Sequence, residues 1–510
     1  MTPPLPAPED RAFRTIAVFG DGNTGLSAAA AFARALPWAR VSIVATPTDP
    51  ASLADRSPGI LPATARLDAA LDLSEETLTR HAGAMPRVGW RLERWTAGPA
   101  WFHGYGEIGQ TIDGAPFHQL WARAAREGSK VEPFHRYAPA LALAEAGRFV
   151  HPDDHLRSPL SAFDYALRIS PAARRAALRG VTQAAGISHL PAGIVATVER
   201  QSDGRVAAVQ LADGRRIEAD LFVDCTGPAA AILSVLDPGF EDWSAMLPVD
   251  RVLLAERIEP DVAAEPVDTA TATSVGWRWR VPYGGRASVG LAFASPLAGE
   301  SRARRVLASE TGVGDAELVA IRPGRRARSW INNVVAFGDA AVAFDPLGWT
   351  LPQLARAAIE RAVALMPGRA CHPLELAEIN RLTALEQDSA CDFVALHYAA
   401  AQGRGGALRL GRPPVLPSTL AATLEHYRAR GRLPQWPEAM FGDDATVGLL
   451  CGMGVLPAMT DPVADAVPSA RAAAAMAAIA ARNAGPAGRL PPYPDYLARM
   501  RRALAATAPA

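Results

Sequence analysis

The sequence predicts an α/β fold, α+β overall, that opens on a βαβ unit with a glycine turn, passes through a strand-rich middle and ends in a mainly helical region. Three observations predict it. Thr15 to Phe19 is a short β-branched and apolar run that meets a glycine-rich hexapeptide, an alanine-rich helical stretch from Leu26 to Leu36 follows, and Val41 to Val44 reads as the next strand. Strand-like runs recur at Val252 to Glu256, Ser274 to Pro282 and Ala287 to Ala294. From about Gln353 onward the pattern is helical, broken by proline joints at Pro413-Pro414 and Pro491-Pro492.

The remaining elements follow in order. Asp49 to about Trp101 reads as helical and irregular, Phe117 to Glu127 as an amphipathic helix, and Phe163 to Gly180 as a further helix leading into Val181 to His189. Ile194 to Val198, Val206 to Leu211, Arg216 to Ile217 and Leu221 to Val223 have strand character, with an Asp-Gly turn at Asp213-Gly214. Val334 to Phe337 is a buried strand that ends in Gly338-Asp339.

Composition narrows the function. The chain has 510 residues, 49% hydrophobic and 20% charged, enough for a large core and about three domain-sized units. Its 52 basic and 52 acidic residues balance, so no basic field exists to hold a phosphate backbone, and nucleic acid is not an expected partner. Cys225, Cys371, Cys391 and Cys451 make no CxxC pair, which argues against zinc and against a disulfide framework. The proline-rich N-terminus lacks the apolar run of a signal peptide, and Ala472 to Ala481 is too short to span a bilayer, so a cytoplasmic protein without a membrane partner is expected. Lys130 is the only lysine, so a mechanism needing an amine has one candidate, and its place in a glycine-containing loop predicts a solvated side chain.

Gly20, Gly22 and Gly25 form GxGxxG between a strand and a helix, the Rossmann-type arrangement. The first glycine allows the tight turn, the second lets backbone approach a pyrophosphate, and the third lets helix and strand pack closely. The acidic ribose ligand expected at the end of the second strand is absent, because Ala45 and Thr46 stand there. Two later segments favour FAD over NAD: Leu221 to Gly227, with Asp224, Thr226 and Gly227, and Val334 to Pro346, with Gly338, Asp339 and Pro346. A carboxylate at a strand tip beside small residues suits a ribityl hydroxyl, although Asp339 alone would read as a helix N-cap.

Gly276 to Pro282, Gly-Trp-Arg-Trp-Arg-Val-Pro, is similar to the WxWxIP motif of flavin-dependent tryptophan halogenases, with Trp277, Trp279 and Pro282 at the motif positions. Val249 to Arg251, Trp330 with Asn333, the Gly338-Asp339 segment, Asp392 to Tyr398 and Gly448 to Gly454 resemble the same family in the same order. The resemblance implies a discontinuous FAD-binding box over 1–350, carrying an inserted substrate-side segment at about 80–160, and a helical substrate cap over 351–510. It also implies FAD, reduced by a separate flavin reductase, with O2 and possible halide. In the family, reduced flavin and oxygen oxidise halide to hypohalous acid, which a lysine and a glutamate deliver to an indole, and the WxWxIP tryptophans hinder direct monooxygenation. A homodimer is an analogy only.

Against that pattern, Arg87 stands where the family's lysine belongs and Gly348 where its glutamate belongs, with Trp349 adding bulk beside it. A guanidinium stays protonated and is a poor carrier of halogen. The family's GxGEAT strap corresponds to Pro58-Gly59-Ile60-Leu61-Pro62, without the Glu-Ala-Thr. His103, within Trp101-Phe102-His103-Gly104-Tyr105-Gly106-Glu107, is a candidate catalytic or ring-stacking group beside Phe102. The expected function is an FAD-dependent oxidoreductase acting on an indole or other aromatic substrate, with a monooxygenase that ignores halide, or a flavin-binding partner protein, as alternatives.

Overall fold

In the computed structural model, residues 12–506 are described, apart from 48, 154–157, 262–263 and 412. The N-terminal segment read for a signal peptide lies largely outside them. The chain divides into two compact units, one of 1–82, 169–244 and 319–388, the other of 83–168, 245–318 and 389–510. The division differs from the expected boundaries. The helix Thr350–Ala364 packs with the nucleotide-type sheet's own helices in the first unit, whereas the strands of 245–318 belong to the second.

The first unit is organised by a sheet in the order Trp330–Ile331, Val334–Ala336, Leu221–Asp224, Thr15–Phe19, Arg40–Val44, Ser188–Leu190. All neighbours are parallel except the Trp330–Ile331/Val334–Ala336 pair. Such strands are buried on both faces and read as continuous apolar runs, which is why Thr15–Phe19 and Val334–Ala336 are legible in sequence. The helix Asn23–Ala35 leaves the first strand through the glycine turn. A three-stranded antiparallel sheet, Arg216–Glu218, Val206–Leu211, Val195–Arg200, turns at Gly214, whose φ of +87° is one that glycine adopts without strain.

In the second unit, strands run in the order Arg251–Ile258, Arg286–Phe293, Gly276–Tyr283, Asp268–Thr273, Gly89–Glu93, Trp101–Gly104. Trp277 and Trp279 project from one face of their strand, both fully buried, with ring centroids 5.6 Å apart. Trp279 fits because its cross-strand partner is Gly290, where a Cβ would collide with the indole. Pro282 lies on the same strand, opposite Ala287. The helices Phe117–Arg126, Ser418–Arg430, Asp443–Gly452, Ser469–Ala487 and Tyr493–Ala506 complete the unit. Among the described residues no helix is long and apolar enough to cross a membrane.

Two readings of the chain change. Phe163 to Gly180 is not one helix: Ala166–Arg168 is a strand, and the helix begins at Pro171 after Ser170, whose hydroxyl accepts from Ala173 N at 3.4 Å. The irregular stretch before Trp101 holds strands Met85–Arg87 and Gly89–Glu93. Their mixed polar and apolar sequence hid them, because Arg87 and Arg91 are held by ion pairs with the distant Asp268 and Glu265 rather than by apolar alternation.

Candidate functional site

In the first unit the three fingerprint glycines each answer a close approach. Gly20 has φ +117°, and a Cβ there would collide with the carbonyl of Cys225, while one on Gly25 would strike the carbonyl of Gly20. Gly22 precedes the helix Asn23–Ala35, which has no side-chain cap of its own and no acidic residue in its first turn. Its N-terminus is therefore a donor site for an anion.

The carboxylate that meets this N-terminus is Asp55, which sequence reasoning missed. Its Oδ1 accepts from Thr24 N at 2.7 Å and from Thr24 Oγ1 at 2.8 Å, and Gly22 has room for it only because it lacks a Cβ. Burial pushes its pKa up, against the hydrogen bonds from Thr24 and the field of Arg174 and Arg175. Its sequence signal was an acid eleven residues beyond the second strand rather than at its tip.

Asp339 is not a helix N-cap. Its carboxylate accepts from Leu53 N at 3.0 Å and Ala54 N at 2.9 Å, and burial, followed by the neighbouring Asp55, raises its pKa well above the usual range. Gly338, at φ +62°, lies against Thr24. Asp224 is committed within its own turn, accepting from Ile232 N and Leu233 N at 2.9 Å and from Thr226 Oγ1 at 2.7 Å. Gly227, which follows Thr226, has φ +89°, and its Cα faces Ser52 and Asp49.

A helix N-terminus without its own cap, lined by glycines where a Cβ would close the space, fits the pyrophosphate of a dinucleotide. Pro346 leads into Gly348, at φ +74°, and the buried Trp349, at φ +56°, just before the helix Thr350–Ala364. A bulky residue in the left-handed region is strained and held by its surroundings. The strap is closer to the family pattern than expected. Ala63 and Thr64 follow Pro62 directly, so only Leu61 and Pro62 depart from it, and Pro62 opens the helix Pro62–Ala70.

In the second unit Arg87 has no solvent exposure and is ion-paired with Asp268, itself fully buried. The pairing follows from topology, because Arg87 adjoins Gly89–Glu93 and that strand runs parallel to the one beginning at Asp268. Arg168, cross-strand in the same layer, lies 3.6 Å from the other carboxylate oxygen. Arg87 also lies 5.4 Å from the ring of Trp90 and 5.6 Å from that of Tyr105, whose hydroxyl burial pushes up to about 12. Lys130 is exposed beyond the helix Phe117–Arg126, as its loop predicts.

His103 sits in an aromatic cluster. Its ring is 5.3 Å from Trp101, 5.8 Å from Phe393 and 6.5 Å from His397, stacked on the last at 13°. Burial, then His397, lowers the His103 pKa to about 3, and burial lowers that of His397 to about 4, so both imidazoles are neutral at physiological pH. His397 Nδ1 is 2.8 Å from the carbonyl of Phe393, and Phe393 stacks on Phe441 at 3.9 Å. Trp101 Nε1 is buried and has no acceptor among the described residues, and Gly452 leaves room for that indole. Phe102, expected beside His103, points from the opposite face of the strand, where it packs near Gly104 and Ala140. His397 falls in the Asp392 to Tyr398 stretch, which the sequence singled out without assigning that residue a role, and Phe441, just before the helix Asp443–Gly452, carried no separable sequence signal.

Among the described residues no group of side chains could hold a metal ion, and the four cysteines are buried. The tryptophan halogenase family model matches residues 15–469. Similar solved structures are BrvH, a flavin-dependent halogenase from Brevundimonas sp. BAL3, at 30% identity and TM-score 0.88, and Xcc4156, a flavin-dependent halogenase from Xanthomonas campestris, at 28% and 0.87. Each comparison covers 96% of this chain and 99% of the other. The tryptophan 7-halogenase KtzQ of Kutzneria sp. (strain 744) is 26% identical over 418 residues, 77% of each chain. This chain therefore belongs to the tryptophan halogenase family of flavin-dependent oxidoreductases.

Proposed function

We propose that the chain uses reduced FAD, delivered by a separate flavin reductase, and O2 to oxidise an indole or other neutral aromatic substrate, without relaying halogen through a side chain. The observation that carries this reading is Arg87 itself. A halogen carrier must offer a nitrogen lone pair at an accessible position. Arg87 is enclosed, and its charge is neutralised by Asp268. Gly348, at the second position, has no carboxylate to assist.

When bound, reduced flavin supplies the oxygen-activating chemistry. The residues of this chain supply the rest. The helix N-terminus beyond Gly22 binds the pyrophosphate, and the aromatic cluster of Trp101, His103, Phe393, His397 and Phe441 takes an uncharged ring. In that cluster a neutral imidazole can accept a hydrogen bond, and the Trp101 N–H is available as a donor. A cavity of about 550 Å³ lined by Glu107, Phe117, Phe134, Asp444 and Val447 adjoins the same helix, Asp443–Gly452, that carries Gly452 beneath Trp101.

The test is product analysis with photoreduced FAD, O2 and indole, with and without chloride or bromide. An oxygenated indole in both media supports the reading. A halogenated product that depends on halide, and survives in Arg87→Met, would show halogenation without a relay. Its loss in that variant would return the relay role to Arg87. No turnover with FAD bound would leave a flavin-binding partner protein.

A further inference from the structure

The carboxylate at the glycine turn suggests a device that acts before any chemistry. A helix N-terminus offers a fixed set of amide donors, and a donor satisfied by one anion is unavailable to a second. Here the donors used are Thr24 N and Thr24 Oγ1, and the acceptor is Asp55, seated where Gly22 lacks a Cβ. Asn23 Nδ2 donates to the Asp55 carbonyl at 2.8 Å, so backbone as well as side chain is anchored there. Just before it, Leu53 N and Ala54 N are held by Asp339, and Ser52 and Asp49 lie over Gly227. One short segment thus touches all three of the places, the glycine turn, the Gly227 turn and the Gly338-Asp339 turn, where the cofactor contacts are expected.

We propose that Asp55 is an internal stand-in for the cofactor's pyrophosphate, and that the segment from Asp49 to Asp55 must leave the cradle for FAD to enter. The inference rests on the flavin reading above. It makes the observed affinity the intrinsic affinity multiplied by the fraction of molecules with the segment displaced. Arg174 and Arg175 are themselves paired with Asp68 and Asp21, and their field reaches Asp55 from those positions.

The test is FAD binding by flavin fluorescence quenching for wild type, Asp55→Asn and Asp55→Ala, together with hydrogen exchange of the wild-type amides with and without FAD. The variants are expected to bind about tenfold more tightly, the order of a helix-terminus charge interaction removed from the competing state. In wild type, FAD should speed exchange at Leu53 and Ala54, as the Asp339 bonds break. Equal or weaker binding by both variants, or unchanged exchange at Leu53 and Ala54 in the FAD-loaded protein, overturns the proposal, and the exchange arm does not depend on any variant folding. If folded wild type and variants all fail to bind FAD, the flavin reading falls and the proposal with it. Binding by wild type separates the two failures.

Discussion

Asp55 in the first unit, partly buried, and Asp268 in the second, fully buried, are both aspartates held by partners distant in sequence, yet their surroundings differ in kind. Asp55 accepts from an amide and a hydroxyl, neutral donors that another anion could also use. Asp268 stands between two fully buried guanidiniums, those of Arg87 and Arg168. The first is an exchangeable acceptor. The second is the counter-charge for two cations with no access to water, and removing it strands them.

The largest expected effect follows from that difference. Asp268→Ala should destabilise the protein by about 3–5 kcal/mol in denaturant unfolding, the cost of breaking a buried ion pair. Asp55→Ala should cost only about 1 kcal/mol, as for a lost helix cap. Equal costs would erase the contrast. Between them, Gly452→Ala should cost about 1–3 kcal/mol, because its Cβ would meet the Trp101 indole and force repacking of the aromatic cluster. A neutral effect would mean that Trp101 is free to move.

Acid sharpens the comparison further. His103 and His397 have folded-state pKa values of about 3 and about 4, below the ordinary 6.5, so the unfolded chain binds protons more readily. Their contribution to stability is complete above pH 6.5 and is lost as pH falls through the folded values. His103→Gln and His397→Gln should each flatten the decline in stability between pH 7 and 5. An unchanged slope would place that acid sensitivity elsewhere. The smallest effect is expected at Lys130→Ala, within about 0.5 kcal/mol of wild type and with unchanged turnover. Loss of turnover there would bring amine chemistry back into consideration.

The glycine turn was legible because its spacing is local. Gly20, Gly22 and Gly25 fall within a few residues of one another after an apolar strand, even though two of their close approaches, to Cys225 and Asp55, come from elsewhere in the chain. The same locality left the partners of Asp224 and Asp339 unread. A strand-tip carboxylate has one sequence appearance whether it meets a ligand, caps its own turn or tethers another segment. Phe102 was misplaced for a simpler reason, since adjacent strand residues face opposite ways.

By itself the sequence determined the glycine turn between strand and helix, the paired tryptophans on one strand face, and the chemical character of Arg87 and Gly348, which offer neither an amine nor a carboxylate. These are properties of residue identity and short spacing, carried by backbone sterics and side-chain chemistry. Tertiary structure decided which charges meet. Asp55 reaches Thr24 across 31 positions, Arg87 reaches Asp268 across 181, and His103 stacks on His397 from a different element. Burial then sets the protonation of those groups, and burial belongs to the folded chain rather than to any one segment of it.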